Sequence, residues 1–142
     1  LLAVSEPARY STEVSLRWRD IDIFGHVKQS VFHDLFEEGR VGLMAELYSR
    51  SGQTPHRGGF VMRHVELSYR HEVRRDHEYV TITARLVHVG SSSIRLAQEV
   101  ILPDGTVAAS GATVLAGWDP EIRGKRVMTD DERSRLVAQI AE

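Results

Sequence analysis

Apolar and polar positions alternate from Tyr10 to Trp18, with Thr12, Val14, Leu16 and Trp18 set against Ser11, Glu13, Ser15 and Arg17. This two-residue period predicts a strand with one buried face. From about Lys28 to Ser49 the period becomes helical: Phe32, Leu35, Phe36, Gly39, Leu43 and Leu47 share one stripe, while His33, Asp34, Glu37 and Glu38 fall elsewhere. Gly39 sits in the middle of that stripe, where glycine weakens a helix by roughly 1 kcal/mol relative to alanine. Its placement predicts that another element, such as a curved sheet, comes very close. Ser51 to Gly59 holds Gly52, Pro55, Gly58 and Gly59 and reads as a loop. Four strand-like runs follow as an expected meander, about Phe60 to Arg70, Glu78 to Val89, Ser93 to Leu102 and Thr106 to Trp118. Gly90-Ser91-Ser92 and Pro103-Asp104-Gly105 are short enough to close hairpins between the last three. Thr129-Asp130-Asp131-Glu132 has the spacing of a capping box and opens a short helix to about Ile140.

These periods define an α+β chain with an antiparallel sheet. At 142 residues and 42% hydrophobic content the chain is expected to bury one core, so residues 1–142 are expected to form a single domain. A small open sheet exposes an edge strand, and pairing two edges is a common remedy, which predicts a homodimer or homotetramer. The absence of Cys excludes disulfides, thiolate metal ligands and a Cys nucleophile, and favours a cytoplasmic location. A net charge of -2 with interspersed Lys and Arg gives no basic stripe, so no nucleic-acid partner is expected. Leu1-Leu2-Ala3-Val4 is too short for a signal peptide, and no later run approaches a membrane span.

The candidate chemistry lies between the first strand and the long helix. Asp20 and Asp22 stand on a tight turn facing the start of that helix, where backbone N–H groups lack helical partners. A carboxylate beside such donors suits attack on a carbonyl, since Asp is ionised at neutral pH and serves either as general base or as nucleophile. An Asx-turn or helix-capping acid is the alternative role for Asp22. His26 is equally consistent with a substrate or Asp22 contact and with a local structural hydrogen bond. No His-x-x-x-His spacing occurs, so no metal site is expected, and His64 and His71 are expected on the surface.

The run Asp20-x-Asp22-x-x-Gly25-His26-Val27, followed by Phe36-Glu37-Glu38-x-Arg40, resembles the 4-hydroxybenzoyl-CoA thioesterase-like family of hotdog-fold acyl-CoA thioesterases. The resemblance implies a single hotdog domain, a long helix wrapped by a curved antiparallel sheet. It implies hydrolysis of an acyl-CoA, or of acyl-pantetheine on a carrier protein, with no cofactor. The roles that follow are Asp22 as base or nucleophile, the Gln29 backbone N–H as oxyanion donor and His26 beside them. Gly25, Val27, Phe32 and Phe36 then bind substrate, with Ser91 and Ser92 near the pantetheine. Arg57, Arg63, Arg70, Arg74 and Arg75 are candidates for the CoA phosphates. Where the family often has two Asn after the Val, this chain has Lys28 and Gln29, and Phe32 replaces a frequent Tyr. A non-catalytic acyl-CoA-binding module is the rival from another class, and a hotdog hydratase is a second enzyme rival.

Overall fold

A computed structural model describes residues 8–51 and 59–140. The segment Leu1-Leu2-Ala3-Val4 and residues 52–58 of the expected loop, Arg57 included, lie outside the described residues. The elements are β1 (Arg9–Ser15), α1 (Val31–Ser51), β2 (Phe60–Tyr69), β3 (Tyr79–Val89), β4 (Ser93–Ile101), β5 (Val107–Asp119), β6 (Gly124–Lys125) and α2 (Asp130–Val137). The main sheet runs β1-β3-β4-β5-β2, antiparallel throughout, with β6 added to β5. Only β3, β4 and β5 form the expected meander. β2 pairs instead with β5 at the far edge, so the chain from Arg70 to Glu78 must cross back to reach β3. That crossing carries it past the Asp22 turn.

The expected stripe of α1 is its buried face. Phe32, Leu35, Phe36, Leu43 and Leu47 are each no more than 4% exposed, packed on Val80, Ile82, Ala84 and Leu86 of β3 and on Ile94, Leu96 and Val100 of β4. A Cβ on Gly39 would meet Gln98 Nε2 at 2.8 Å and Ile82 Cγ2 at 2.9 Å, which is the close approach the sequence predicts. Gln98 is itself buried and satisfied: its Nε2 donates to Phe36 O at 2.8 Å, and its Oε1 accepts from Thr113 at 3.0 Å. Gly42, one turn on, lies against the Tyr10 ring even more tightly.

The first strand ends earlier than the alternation suggests. Trp18 to Asp20 form a single 3-10 turn, so Trp18 is turned outward, 74% exposed, with the Arg75 guanidinium 4.5 Å over its ring. α1 begins at Val31 rather than Lys28 because residues 28–30 accept turn hydrogen bonds from Val31, Phe32 and His33. α2 stops at Val137, short of Ile140, and is capped as expected, the Thr129 hydroxyl accepting from Glu132 N at 3.1 Å.

A buried polar cluster ties α2 to α1 and to the strand ends. Glu132 accepts from Arg126 Nη1 at 2.8 Å and from the Tyr48 hydroxyl at 2.7 Å, and the Arg126 guanidinium lies 5.1 Å from the Phe60 ring centre. Burial raises the Tyr48 pKa, and its hydrogen bond to Glu132 adds to the shift, so the phenol stays protonated far above its usual range. Burial would also raise Glu132, but the bonds from Arg126 and Tyr48 outweigh it and hold the carboxyl below the ordinary range.

Candidate active site

The turn after the first strand is built by its two carboxylates, which have separate tasks. Asp20 is buried, and its side chain accepts from Arg17 N at 2.9 Å and from Arg17 Nη2 at 2.9 Å, while its carbonyl accepts from Lys28 N at 2.8 Å. Burial would raise its pKa, yet the Arg17 contacts prevail and lower it. Asp20 organises the turn. Asp22 uses only one carboxylate oxygen locally, Oδ1 accepting from Phe24 N at 2.9 Å and from His26 N at 3.1 Å. Its Oδ2 has no hydrogen-bond partner among the described residues. The Asx-turn is therefore present, and it fixes the carboxylate while leaving half of it available. Gly25 adopts φ +80 at the tip, a backbone state that L side chains rarely take.

The crossing segment braces this turn from the side. Val27 N donates to Val73 O at 2.7 Å, and His26 and Arg74 form an antiparallel bridge. The His26 ring reaches the same segment, Nε2 lying 2.6 Å from Glu72 Oε2. Glu72 Oε1 accepts from Arg74 Nη1 at 3.1 Å, and Arg74 Nε donates to Asp76 at 2.9 Å. The bond from Arg74, with the charge of His26, holds the Glu72 carboxyl below its usual range. Tyr69 closes the other side: its hydroxyl donates to Gln29 O at 3.3 Å, and its ring meets Phe32 edge-on at 5.1 Å.

Together these groups line a cavity of about 440 Å³ that includes Asp22, His26, Val27, Gln29, Phe32 and Tyr69. At its edge the N–H group of Gln29 donates to nothing among the described residues, and the same is true of its chain neighbour Ser30. A carboxylate oxygen and backbone donors, neither with a partner among the described residues, thus border one space, an arrangement able to activate water and stabilise an oxyanion.

Other expected site residues fall elsewhere. Phe36 is fully buried in the core and lines no described cavity, because α1 turns that position onto the sheet. Ser91 and Ser92 close the β3–β4 hairpin, where Ser92 O accepts from Gly117 N and Ser91 O from Met128 N. That hairpin lies at the Phe60 end of the sheet, roughly 30 Å from the Tyr69 end at about 3.4 Å per strand residue. Of the arginines considered, Arg70 borders the cavity with its Nε bonded to Ser110, Arg74 is held by Glu72 and Asp76, Arg75 stacks on Trp18, and Arg63 is exposed on β2. His64 and His71 are exposed, as expected, and His71 also borders the cavity. Tyr69 and Glu72, by contrast, carry no signal in the sequence.

A second cavity, of about 380 Å³, opens at the other end of the groove between α1 and β2. Met44, Tyr48, Phe60, Met62 and Leu115 wall it, and the half-buried Arg40 guanidinium, its pKa lowered by burial, stands on its rim.

The chain matches the family model described as the thioesterase-like superfamily over residues 16–138. It is 24% identical over 130 residues to the long-chain acyl-CoA thioesterase FadM of Escherichia coli strain K12, covering 91% of this chain and 98% of that protein. Among solved structures it is similar to a predicted thioesterase from Bacillus stearothermophilus, with a TM-score of 0.79, 20% identity, and 95% and 98% of the two chains covered. It is also similar to a thioesterase from Thermus thermophilus complexed with coenzyme A and Zn, with a TM-score of 0.75, 25% identity, and 91% and 93% covered. Among the described residues no group of three or more His, Asp or Glu side chains suits a metal ion, and no helix is long and apolar enough to cross a membrane.

Proposed function

The chain belongs to the thioesterase-like superfamily and has the hotdog fold, and from that premise we propose that it hydrolyses an acyl-CoA thioester at the Asp22 turn. One observation supports the assignment of the site: Asp22 is held through Oδ1, while its Oδ2 and the neighbouring Gln29 N–H have no hydrogen-bond partner among the described residues. In the general-base route, Oδ2 takes a proton from water as the water oxygen bonds to the carbonyl carbon. The carbonyl electrons move onto oxygen, to which the Gln29 N–H donates, and collapse breaks the C–S bond, the proton held on Oδ2 passing to the departing CoA sulfur. In the nucleophilic route, Oδ2 bonds to the carbonyl carbon itself and the C–S bond breaks to release the CoA thiolate, leaving an acyl anhydride on Asp22 that water then cleaves to the free acid and the restored carboxylate. Each well-aimed oxyanion donor is worth roughly 3 kcal/mol in the barrier. Acyl-pantetheine on a carrier protein presents the same reacting atoms.

The acyl group is apolar on this reading. Phe32 has no hydroxyl, and Tyr69 commits its own proton to Gln29 O. A site without a hydroxyl at position 32 lacks the donor that a Tyr there would supply, and so gives no added reward to a hydroxylated acyl group. Benzoyl-CoA should therefore turn over with a higher kcat/KM than 4-hydroxybenzoyl-CoA, and hexanoyl-CoA with a higher one than its 6-hydroxy analogue. Preference for the hydroxylated member of both pairs would remove this assignment of Phe32.

A second copy completes the site. β2 is an edge strand, exposed along most of its length, with Val61, Met62 and Tyr69 among its uncovered side chains. Pairing two β2 edges antiparallel would set the Phe60 end of one chain beside the Tyr69 end of the other. The partner's hairpin turn and its apolar α1/β2 cavity would then come toward the Asp22 turn. Ser91 and Ser92 could reach the thioester's pantetheine arm only in this way. Sedimentation at micromolar concentration should show a dimer or a dimer of dimers, and a fully active monomer would contradict the arrangement.

A further inference from the structure

Glu72 stands in a run of charged residues with no evident task in the sequence, yet its side chain reaches the turn that holds the Asp22 carboxylate. Its Oε2 lies 2.6 Å from His26 Nε2, short enough to fix that nitrogen as the protonated one. The backbone N–H of the same His26 is one of the two donors to Asp22 Oδ1, at 3.1 Å. His26 therefore links the two carboxylates, its ring held by Glu72 and its main chain holding Asp22. Glu72 is in turn aimed from behind, since Arg74 binds its other oxygen and is itself held by Asp76.

We propose that Glu72 is a positioning residue for the reaction, acting through His26 to keep Asp22 turned with Oδ2 toward the thioester. Glu72 touches neither the substrate nor the reacting atoms in this role. Half-exposed ion pairs contribute little to overall stability, so the contact from Glu72 to His26 is better explained by what it orients than by what it stabilises. A loosened His26 lets the Asp22 carboxylate rotate, and displacements of about 1 Å at a reacting group cost up to a hundredfold in rate.

The inference rests on Asp22 being the reacting carboxylate, and the test separates the two. With hexanoyl-CoA as substrate, Glu72→Ala should lower kcat about tenfold and leave KM within about twofold, with a thermal midpoint close to that of the wild type. Glu72→Gln keeps an oxygen to accept from His26 Nε2 and should restore kcat to within about threefold of the wild type. In a His26→Ala background, Glu72→Ala should change kcat by less than twofold, because the link is already broken. An unchanged kcat in Glu72→Ala, an equal loss in Glu72→Gln, or a rise in KM alone would each overturn the proposal. If Asp22→Asn is inactive while Glu72→Ala is fully active, only the role of Glu72 falls. If Asp22→Asn is fully active, the mechanism falls whatever Glu72 does.

Discussion

Asp22→Asn should lower kcat for a good acyl-CoA substrate by about three orders of magnitude, equivalent to roughly 4 kcal/mol in the barrier, while KM stays within a few-fold. Asn preserves an oxygen that can accept from Phe24 N and His26 N, so the turn should survive the change. What it loses is the anionic second oxygen, and with it both the base and the nucleophile. General bases contribute typically 10²–10⁴-fold, so the effect belongs almost wholly to kcat. Asp20→Asn is the matched control. It weakens an ion pair in which Asp20 is buried and Arg17 exposed and should lower thermal stability modestly, but it leaves Asp22 in place and should keep most of the activity. Steady-state kinetics on both folded variants decides between them. Near-normal turnover in Asp22→Asn would leave the mechanism without its central group.

The largest loss of stability should come from a residue far from this chemistry. Glu132→Ala strands the Arg126 guanidinium, whose side chain is only 7% exposed, and removes the acceptor of the buried Tyr48 hydroxyl. Breaking one partner of a buried ion pair costs about 3–5 kcal/mol, which for a domain of this size lowers the thermal midpoint by on the order of 10–15 °C. Replacing Arg126 and Glu132 together with apolar residues of similar volume should recover most of that loss, because neither charge is then left alone. The pH dependence has a definite sign. Glu132 has a folded pKa below its unfolded value, so its contribution is fully present above the unfolded carboxylate pKa of about 4.3. It is lost as pH falls through the folded value. Thermal melts of Glu132→Gln should accordingly show a shallower acid limb than those of the wild type.

Periodicity carries the fold as far as short-range physics reaches. The α1 stripe, the close approach at Gly39, the two hairpins and the Thr129 cap all follow from residue spacing, because each is decided within a few turns or strand positions. The pairing of β2 with β5 is not local, and no residue in β2 announces its partner, so a simple meander is the natural but incomplete reading. Trp18 shows a related limit. The alternation puts it on the buried face of the first strand, but that strand ends at Ser15 and the Trp18–Asp20 turn rotates it out onto Arg75. At the candidate site, Asp20, Asp22, Gly25 and His26 are legible because one tight turn brings together residues close in sequence. Tyr69 at the end of β2 and Glu72 in the crossing segment arrive from forty or more positions away, and spacing has nothing to say about them. Phe32 and Phe36 share the buried stripe of α1, and the structure sets Phe32 against the cavity and Phe36 deeper, against the sheet, a difference in depth that residue spacing does not express.

The most direct test of acyl-CoA hydrolysis is to incubate the purified protein with hexanoyl-CoA in ¹⁸O-labelled water and identify the products by mass spectrometry. Hydrolysis at the Asp22 turn predicts free CoA and hexanoate in equal amounts over many turnovers, with solvent ¹⁸O in the acid and none in the CoA. Intact hexanoyl-CoA that stays bound to the protein without being cleaved would contradict it, and would make the chain a binding module on a thioesterase fold.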